Sequence, residues 1–255
     1  MGEIATVYAE GRQRITDLLR DVDDAAGKAS VATCPRWSVH DVLAHLSGVC
    51  ADILAGNIAG AASDAWTAAQ VDARRDRSLA DLIDEWTEVG PQIEGMADNF
   101  PGRIPQQIVA DVTTHEHDIR LALGRPGARD SRGVEIGTEF VATLGLCATF
   151  WALGLGPLEV RAGRRSWIAG TGAPPDDGRP QEDVLSGVLF GGDLPAPTQP
   201  PVGTLDIELF ELFRALTGRR SERQVRAYAW SVDPDPYLPA FSFGPFTTSP
   251  VDVVE

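Results

Sequence analysis

Lysine is nearly absent from this chain of 255 residues: Lys28 is the only one, and the other basic residues are all arginine. Arginine and lysine together number 22 against 37 acidic residues, a formal net charge of −15. A field of that sign repels polyphosphate. The charge balance therefore excludes nucleic acid and anionic membrane as expected partners, while a local cationic patch can still hold a small anion. Cysteine is also scarce. Cys34, Cys50 and Cys147 are odd in number and far apart, which excludes a disulfide framework and the close spacings of a zinc ribbon; reduced, mostly buried thiols are expected. No uninterrupted apolar run approaches the roughly 20 residues of a membrane-spanning helix. The segment Met1-Gly2-Glu3-Ile4-Ala5 lacks the basic and apolar regions of a signal peptide, so a cytoplasmic protein is expected.

What is present describes a globular protein. An apolar share of 43% beside 23% charged residues excludes both a disordered and a fibrous chain. The length suffices for one large domain or two of ordinary size, and two are expected. The arginine bias, with abundant alanine, glycine and proline, is the imprint of a GC-rich genome rather than of a function.

The first part of the chain reads as helices. Ile4, Val7, Tyr8, Ile15, Leu18, Leu19 and Val22 recur at helical intervals from Ile4 to about Ala26, with Gly27 as the stop. After Cys34-Pro35-Arg36-Trp37, Ser38 is the expected N-cap of a helix that carries His45 and runs past Gly48 to around Ile58, with Asp41 complementing the N-terminal dipole. A polar stretch through Arg74-Arg75-Asp76-Arg77 leads to Ser78, a second N-cap, ahead of Leu79, Leu82, Ile83, Trp86 and Val89; Pro91 is expected to kink or divide that helix. A helix from about Pro105 to Leu123 ends at Gly124, and Gly133 to Leu155 is apolar on most sides, as a helix buried on several faces is.

The pattern then changes. Leu158 to Ala162 and Arg165 to Ala169 alternate with period two around Gly163 and predict a strand pair. Segments 171–181 and 191–203 read as loops, and a helical stretch is expected from about Asp206 to Leu216. The aromatic, proline-rich tail is expected to pack across the fold. These features predict an α+β protein with a domain boundary near 155: residues 1–155 as a helical domain and 156–255 as a smaller mixed α/β domain.

The chemistry-bearing residues lie in the helical part, which holds all four histidines. His45 sits on one predicted helix, and Asp111 and His115 on another. Four residues apart on a helix is about 40° in azimuth and one turn along the axis, so Asp111 and His115 can face the same ion. Two imidazoles and a carboxylate are the donor count of a catalytic divalent-metal site that keeps a position open. His40 is about 140° from His45 and His117 about 200° from His115, which predicts both at the surface. Asp118 shares the side of His115 and can orient its ring from behind. The blander readings stand beside this one: a carboxylate and a histidine four apart also form minor ion pairs on exposed helices, and His45 among Val42, Leu46 and Val49 is equally read as a hydrogen-bonded core histidine.

Pro35-Arg36-Trp37-Ser38-Val39-His40-Asp41-Val42-Leu43-Ala44-His45-Leu46 resembles the second-helix motif of the DinB-like superfamily, in its mycothiol-dependent maleylpyruvate isomerase branch. Asp111-Val112-Thr113-Thr114-His115-Glu116-His117-Asp118 is similar to that branch's metal-helix signature, a carboxylate four residues before a histidine and an aspartate three after it. The resemblance covers residues 4–155 well and the rest loosely. It implies a four-helix bundle whose divalent ion, usually zinc, is held by His45, Asp111 and His115, with Asp118 behind them. It also implies mycothiol, the low-molecular-weight thiol of actinobacteria, as cosubstrate activated at the metal, a source that fits the arginine-rich composition. Members usually carry Glu or His where this chain has Asp111, one methylene shorter than Glu; closer helices or weaker metal binding are the expected consequences.

A protonated thiol is a poor nucleophile, and a dication that takes its proton and holds its sulfur supplies activation without a cysteine of the protein. Cys34, Cys50 and Cys147 are therefore left outside the reaction. Phe213-Arg214-Ala215-Leu216-Thr217-Gly218-Arg219-Arg220-Ser221 resembles a C-terminal segment of the same proteins in which an arginine serves the active site; at most one of Arg214, Arg219 and Arg220 is expected to do so, the other two being surface charges. The expected function is thiol-dependent transfer or isomerisation of a small electrophile. A hydrolase using bound water, and a metal- or ligand-binding regulatory protein without catalysis, remain as alternatives.

Overall fold

A computed structural model describes residues 2–255, and their contacts divide the chain into two compact units. The first takes in the residues up to Phe100, Asp111–Ala128 and Glu255; the second takes in Pro101–Ala110 and Arg129–Val254.

The first unit is built from helices whose ends are set by local chemistry. Helix α1, Glu3–Leu19, buries Val7, Tyr8, Ile15 and Leu19 and stops earlier than its apolar period suggests; a separate short helix α2, Asp24–Gly27, comes next, its N-cap Asp23 accepting from the Ala26 amide. Helix α3, Val39–Ala55, begins in a capping box formed by Ser38 and Asp41, and Gly56 in the left-handed region ends it three residues before the expected stop. Helix α4, Asp64–Ala73, starts at the Ser63 N-cap in what the sequence presented only as a polar stretch. Helix α5, Leu79–Ala97, opens on the Ser78/Asp81 capping box and runs unbroken through Pro91. Pro91 lies on the exposed face, where water can serve the carbonyl that has lost its amide partner.

Helix α6 spans Ile104–Ala122. Residues 112–119 are all buried, so its far face is covered as well as the face that carries Asp111 and His115. That overturns the surface placement of His117, which is 2% exposed. Helix α5 packs on α3 and α1, and Gly11 of α1 lets Val112 of α6 come close, completing a four-helix core of α1, α3, α5 and the later turns of α6. Glu116 is fully buried and chelated by Arg14 at 2.8–3.0 Å and by Arg120 at 2.9–3.0 Å. Removing one partner from a buried ion pair of this kind costs about 3–5 kcal/mol, so the network pins α1 to α6 close to the candidate ligands.

In the second unit, α7 (Arg132–Val141), a π-helical stretch (Ala142–Ala148) and α8 (Thr149–Ala152) form one apolar rod. Among the described residues, Arg132–Ala152 alone has the length and hydropathy of a membrane-spanning helix, and 78% of its apolar window is buried inside the protein. The sequence reading put this rod before a boundary at 155. It groups instead with the sheet and the C-terminal helices, because its apolar faces are buried in one core with them; the second unit thereby becomes the larger. Strands β1 (Leu158–Ala162) and β2 (Arg165–Ala169) pair antiparallel about Gly163, whose φ of 63° suits the tight turn. Strand β3 (Thr204–Ile207) lies parallel to β1, and β4 (Ala229–Trp230) closes the order β2-β1-β3-β4. The helix expected from Asp206 is thus shorter: α10 runs Leu209–Leu216, after α9 (Gln181–Leu189) and before α11 (Glu222–Arg226). Leu158, Val160, Leu205, Phe213 and Phe241 meet Phe150 in the core, and the tail packs on it as expected through Tyr237 and Phe243. The architecture is α+β, with a helical N-terminal unit.

Candidate metal centre

Three of the four residues expected around the ion come together in the first unit, and the fourth stands behind them. His45 Nε2 lies 3.7 Å from Asp111 Oδ1, and His115 Nε2 lies 3.6 Å from the same oxygen. The three ligating atoms are all within 4.8 Å of one another. Both imidazoles are buried, while the Asp111 side chain is 36% exposed, so solvent reaches the triangle from the carboxylate side. The two rings stand edge to face at 5.2 Å, and Trp37 lies over both, with centroids 5.1 Å from His45 and 5.9 Å from His115.

Each ring is held from behind. His115 Nδ1 is 3.1 Å from Asp118 Oδ2, and Thr33 Oγ1 donates to Asp118 Oδ1 at 2.8 Å. A carboxylate only accepts, so Nδ1 carries the proton and Nε2 presents its lone pair. His45 Nδ1 is 2.8 Å from Gln70 Oε1. Two lone pairs and a carboxylate thus face one another at separations beyond hydrogen-bond range. Without a positive charge among them that arrangement is repulsive. A tetrahedral ion with bonds of about 2.0–2.1 Å spaces its donors by about 3.4 Å, close to the distances seen, so these residues fit a divalent cation with a position left open.

The sequence left Cys34 out, yet its Sγ is 3.9 Å from Asp118 Oδ2, and Cys34, His115 and Asp118 form a second group of ligating atoms within 4.8 Å. His115 and Asp118 are already bonded to each other there, so Cys34 borders the centre from the outside. Gln70 was missed altogether. It sits on α4, a helix that the sequence presented only as a polar stretch, and nothing in the pattern ties a glutamine at 70 to His45. Nor does His40 lie free at the surface: its Nε2 is 2.7 Å from the Arg77 carbonyl oxygen.

The other thiols are shielded. Burial pushes the Cys50 thiol up to about 11 although Tyr8, 3.1 Å away, offsets part of the effect. Burial also raises Cys147 to about 12, with Glu139 adding to it. Thiolate is the reactive form, so at about pH 8 both should be alkylated by iodoacetamide more than about 100-fold slower than an unperturbed thiol. Mass-spectrometric labelling of the folded chain checks this, and comparable rates would overturn the shielding.

The residues matched by family comparison coincide with this half of the chain. Residues 8–125 match the mycothiol maleylpyruvate isomerase N-terminal domain. That segment belongs to this family. No curated protein and no solved structure matches the chain significantly. The family segment contains every residue of the His45, Asp111, His115 centre and its supports Gln70 and Asp118.

The arginines of the second unit are placed differently from expectation, which put two of the three at the surface. Arg214, Arg219 and Arg220 are all buried, at 0%, 7% and 2% exposure. The turn at Gly218 is capped by the tail: the Ser249 amide donates to the Arg220 carbonyl at 2.9 Å. Arg220 forms a bidentate pair with Glu211 at 2.7 and 2.8 Å. Burial opposes ionisation of Glu211, but the guanidinium outweighs it and holds the carboxyl below its usual range.

Proposed function

We propose that this protein is a metal-dependent enzyme that uses a low-molecular-weight thiol, mycothiol by family, to transfer to or isomerise a small electrophile, with His45, Asp111 and His115 holding the ion. One observation carries the reading: two buried imidazoles, turned by their partners so that both Nε2 atoms face the Asp111 carboxylate. Zinc suits two nitrogens and one oxygen with an open position. When bound, such a cation favours the deprotonated form of an entering thiol.

The chain's own residues do the rest. Asp118, itself anchored by Thr33, draws the Nδ1 proton of His115 and keeps that ring a ligand. Trp37, itself half-buried, packs against both rings, and the Asp111 carboxylate is the partly exposed member of the triangle, so reactants approach from its side. With its charge matched by Glu211, Arg220 is assigned to the structure of the second unit. Arg214→Lys, Arg219→Lys and Arg220→Lys, compared by KM for an anionic electrophile, test whether one of these arginines serves the substrate.

The reading is tested by metal analysis of the purified chain and by a screen of electrophiles with and without added thiol. About one divalent ion per chain is expected. Asp111→Glu should keep that ion, within about tenfold of the original affinity, because it restores the carboxylate usual in the resembling proteins while the imidazoles stay in place. Loss of the ion in Asp111→Glu, measured by competition with a chromogenic chelator, would show that the centre is built around the shorter side chain. Thiol-independent hydrolysis would favour the hydrolase alternative.

A further inference from the structure

Gln70 is 2% exposed and lies on α4, a helix outside the four-helix core. Its amide bridges two groups of α3: Oε1 is 2.8 Å from His45 Nδ1, and Nε2 donates to Asp52 Oδ2 at 2.8 Å. Asp52 is fixed in turn, its Oδ1 accepting from Asn57 Nδ2 at 2.9 Å. The orientation of the amide follows from chemistry. A carboxylate cannot donate, so the NH2 end must face Asp52 and the carbonyl end must face His45; His45 Nδ1 then has to carry the proton.

The surroundings are shaped for this bridge. Gly48 is the floor under Gln70, since a Cβ there would come within 2.7 Å of the Gln70 Cβ. Arg74, the C-cap residue of α4, binds Glu85 of α5 at 2.7 and 3.1 Å, and Ser47 of α3 donates to the same carboxylate at 2.9 Å. Helix α4 is thereby clamped to both neighbours, with its one buried amide aimed at the ring of a candidate ligand.

We propose that Gln70 is a positioning residue that locks His45 in its Nδ1–H tautomer, with Asp52 setting the direction of the lock, so that the Nε2 lone pair is presented for a metal. The inference rests on the metal-site reading for its binding readout but not for the tautomer, which exists in the metal-free chain. Free imidazole gives no such assurance: where the opposite tautomer forms, Nε2 carries a proton and cannot coordinate.

The test uses the full chain in three forms: unchanged, Gln70→Leu, and the double variant Asp52→Asn with Gln70→Glu. The double variant exchanges the two ends of the bridge, so that an amide at position 52 donates to a carboxylate at position 70, and that carboxylate accepts from His45. It keeps the lock, whereas Gln70→Glu alone would set two carboxylates against each other. Two-dimensional nitrogen–proton NMR of the metal-free protein at about pH 8 reads the His45 tautomer, and chelator competition reads Zn2+ affinity. Expected are Nδ1–H in the unchanged chain and the double variant, its loss in Gln70→Leu, and an affinity about 10–100-fold weaker in Gln70→Leu that the double variant restores to within about threefold. An Nε2–H tautomer in the unchanged chain overturns the inference, as does a Gln70→Leu affinity within about threefold of the original, or a double variant as weak as Gln70→Leu. Should Gln70→Leu fail to fold, the tautomer of the unchanged chain and the double variant decide. An unchanged chain that binds no divalent ion sinks the metal reading and leaves the tautomer to judge Gln70 by itself.

Discussion

His45→Ala and His115→Ala should each lower affinity for Zn2+ by more than about 100-fold, beyond the roughly 10–100-fold that losing an outer partner typically costs, and reduce metal-dependent turnover to background. The reason is the small donor count. Three side chains converge, and Asp111 accounts for one of them with a carboxylate that is partly exposed and competes with solvent. One imidazole and that carboxylate remain after either change, too few for a protein site that also leaves a position open. The two variants differ in what else they disturb: His45→Ala leaves the Gln70 carbonyl without its donor, and His115→Ala leaves Asp118 with one partner fewer. Thermal unfolding of each metal-free variant separates that structural loss from the loss of a ligand. Stoichiometric ion in purified His45→Ala would refute the ligand set.

The second large effect concerns the thiol. Turnover of an accepted electrophile should require an added low-molecular-weight thiol and vanish on chelation, whereas replacing Cys34, Cys50 and Cys147 together by Ala should leave the rate within about threefold. Cys50 and Cys147 are raised far above the working range by burial, so neither supplies thiolate. Cys34 is the sharper case, since it stands 3.9 Å from Asp118 beside the centre. If it were the nucleophile, the triple variant would lose activity and added thiol would be dispensable. Mycothiol should outperform glutathione if the recognition belongs to the family of residues 8–125. Metal-dependent hydrolysis that ignores thiol would transfer the protein to the hydrolase class, and silence under all conditions would favour a binding protein.

Much of this was legible because it is local. The Ser38 and Ser78 N-caps, the glycine stop at Gly124 and the turn at Gly163 depend on residues within a few positions of one another, and they placed the starts of α3 and α5, the end of α6 and the strand pair to within a few residues. The Asp111/His115 spacing is local in the same sense, as is the reach of Asp118 to His115.

What the chain alone determined, then, was most of the helices, the pairing of β1 with β2, the acidic globular composition and the four residues of the centre that share a helix face or a recognisable motif. The tertiary structure decided what lies between elements distant in sequence. Whether His117 faces solvent depended on how many neighbours cover α6, and the fate of Arg219 and Arg220 depended on a tail about 30 residues further on folding over their turn. The rod at Arg132–Ala152 joined the second unit because burial rewards whichever surface closes over an apolar face, and periodicity does not say which surface that is. Gln70 gained its place at His45 for the same reason: a hydrogen bond across 25 residues exists only once Gly48 has let α4 settle against α3.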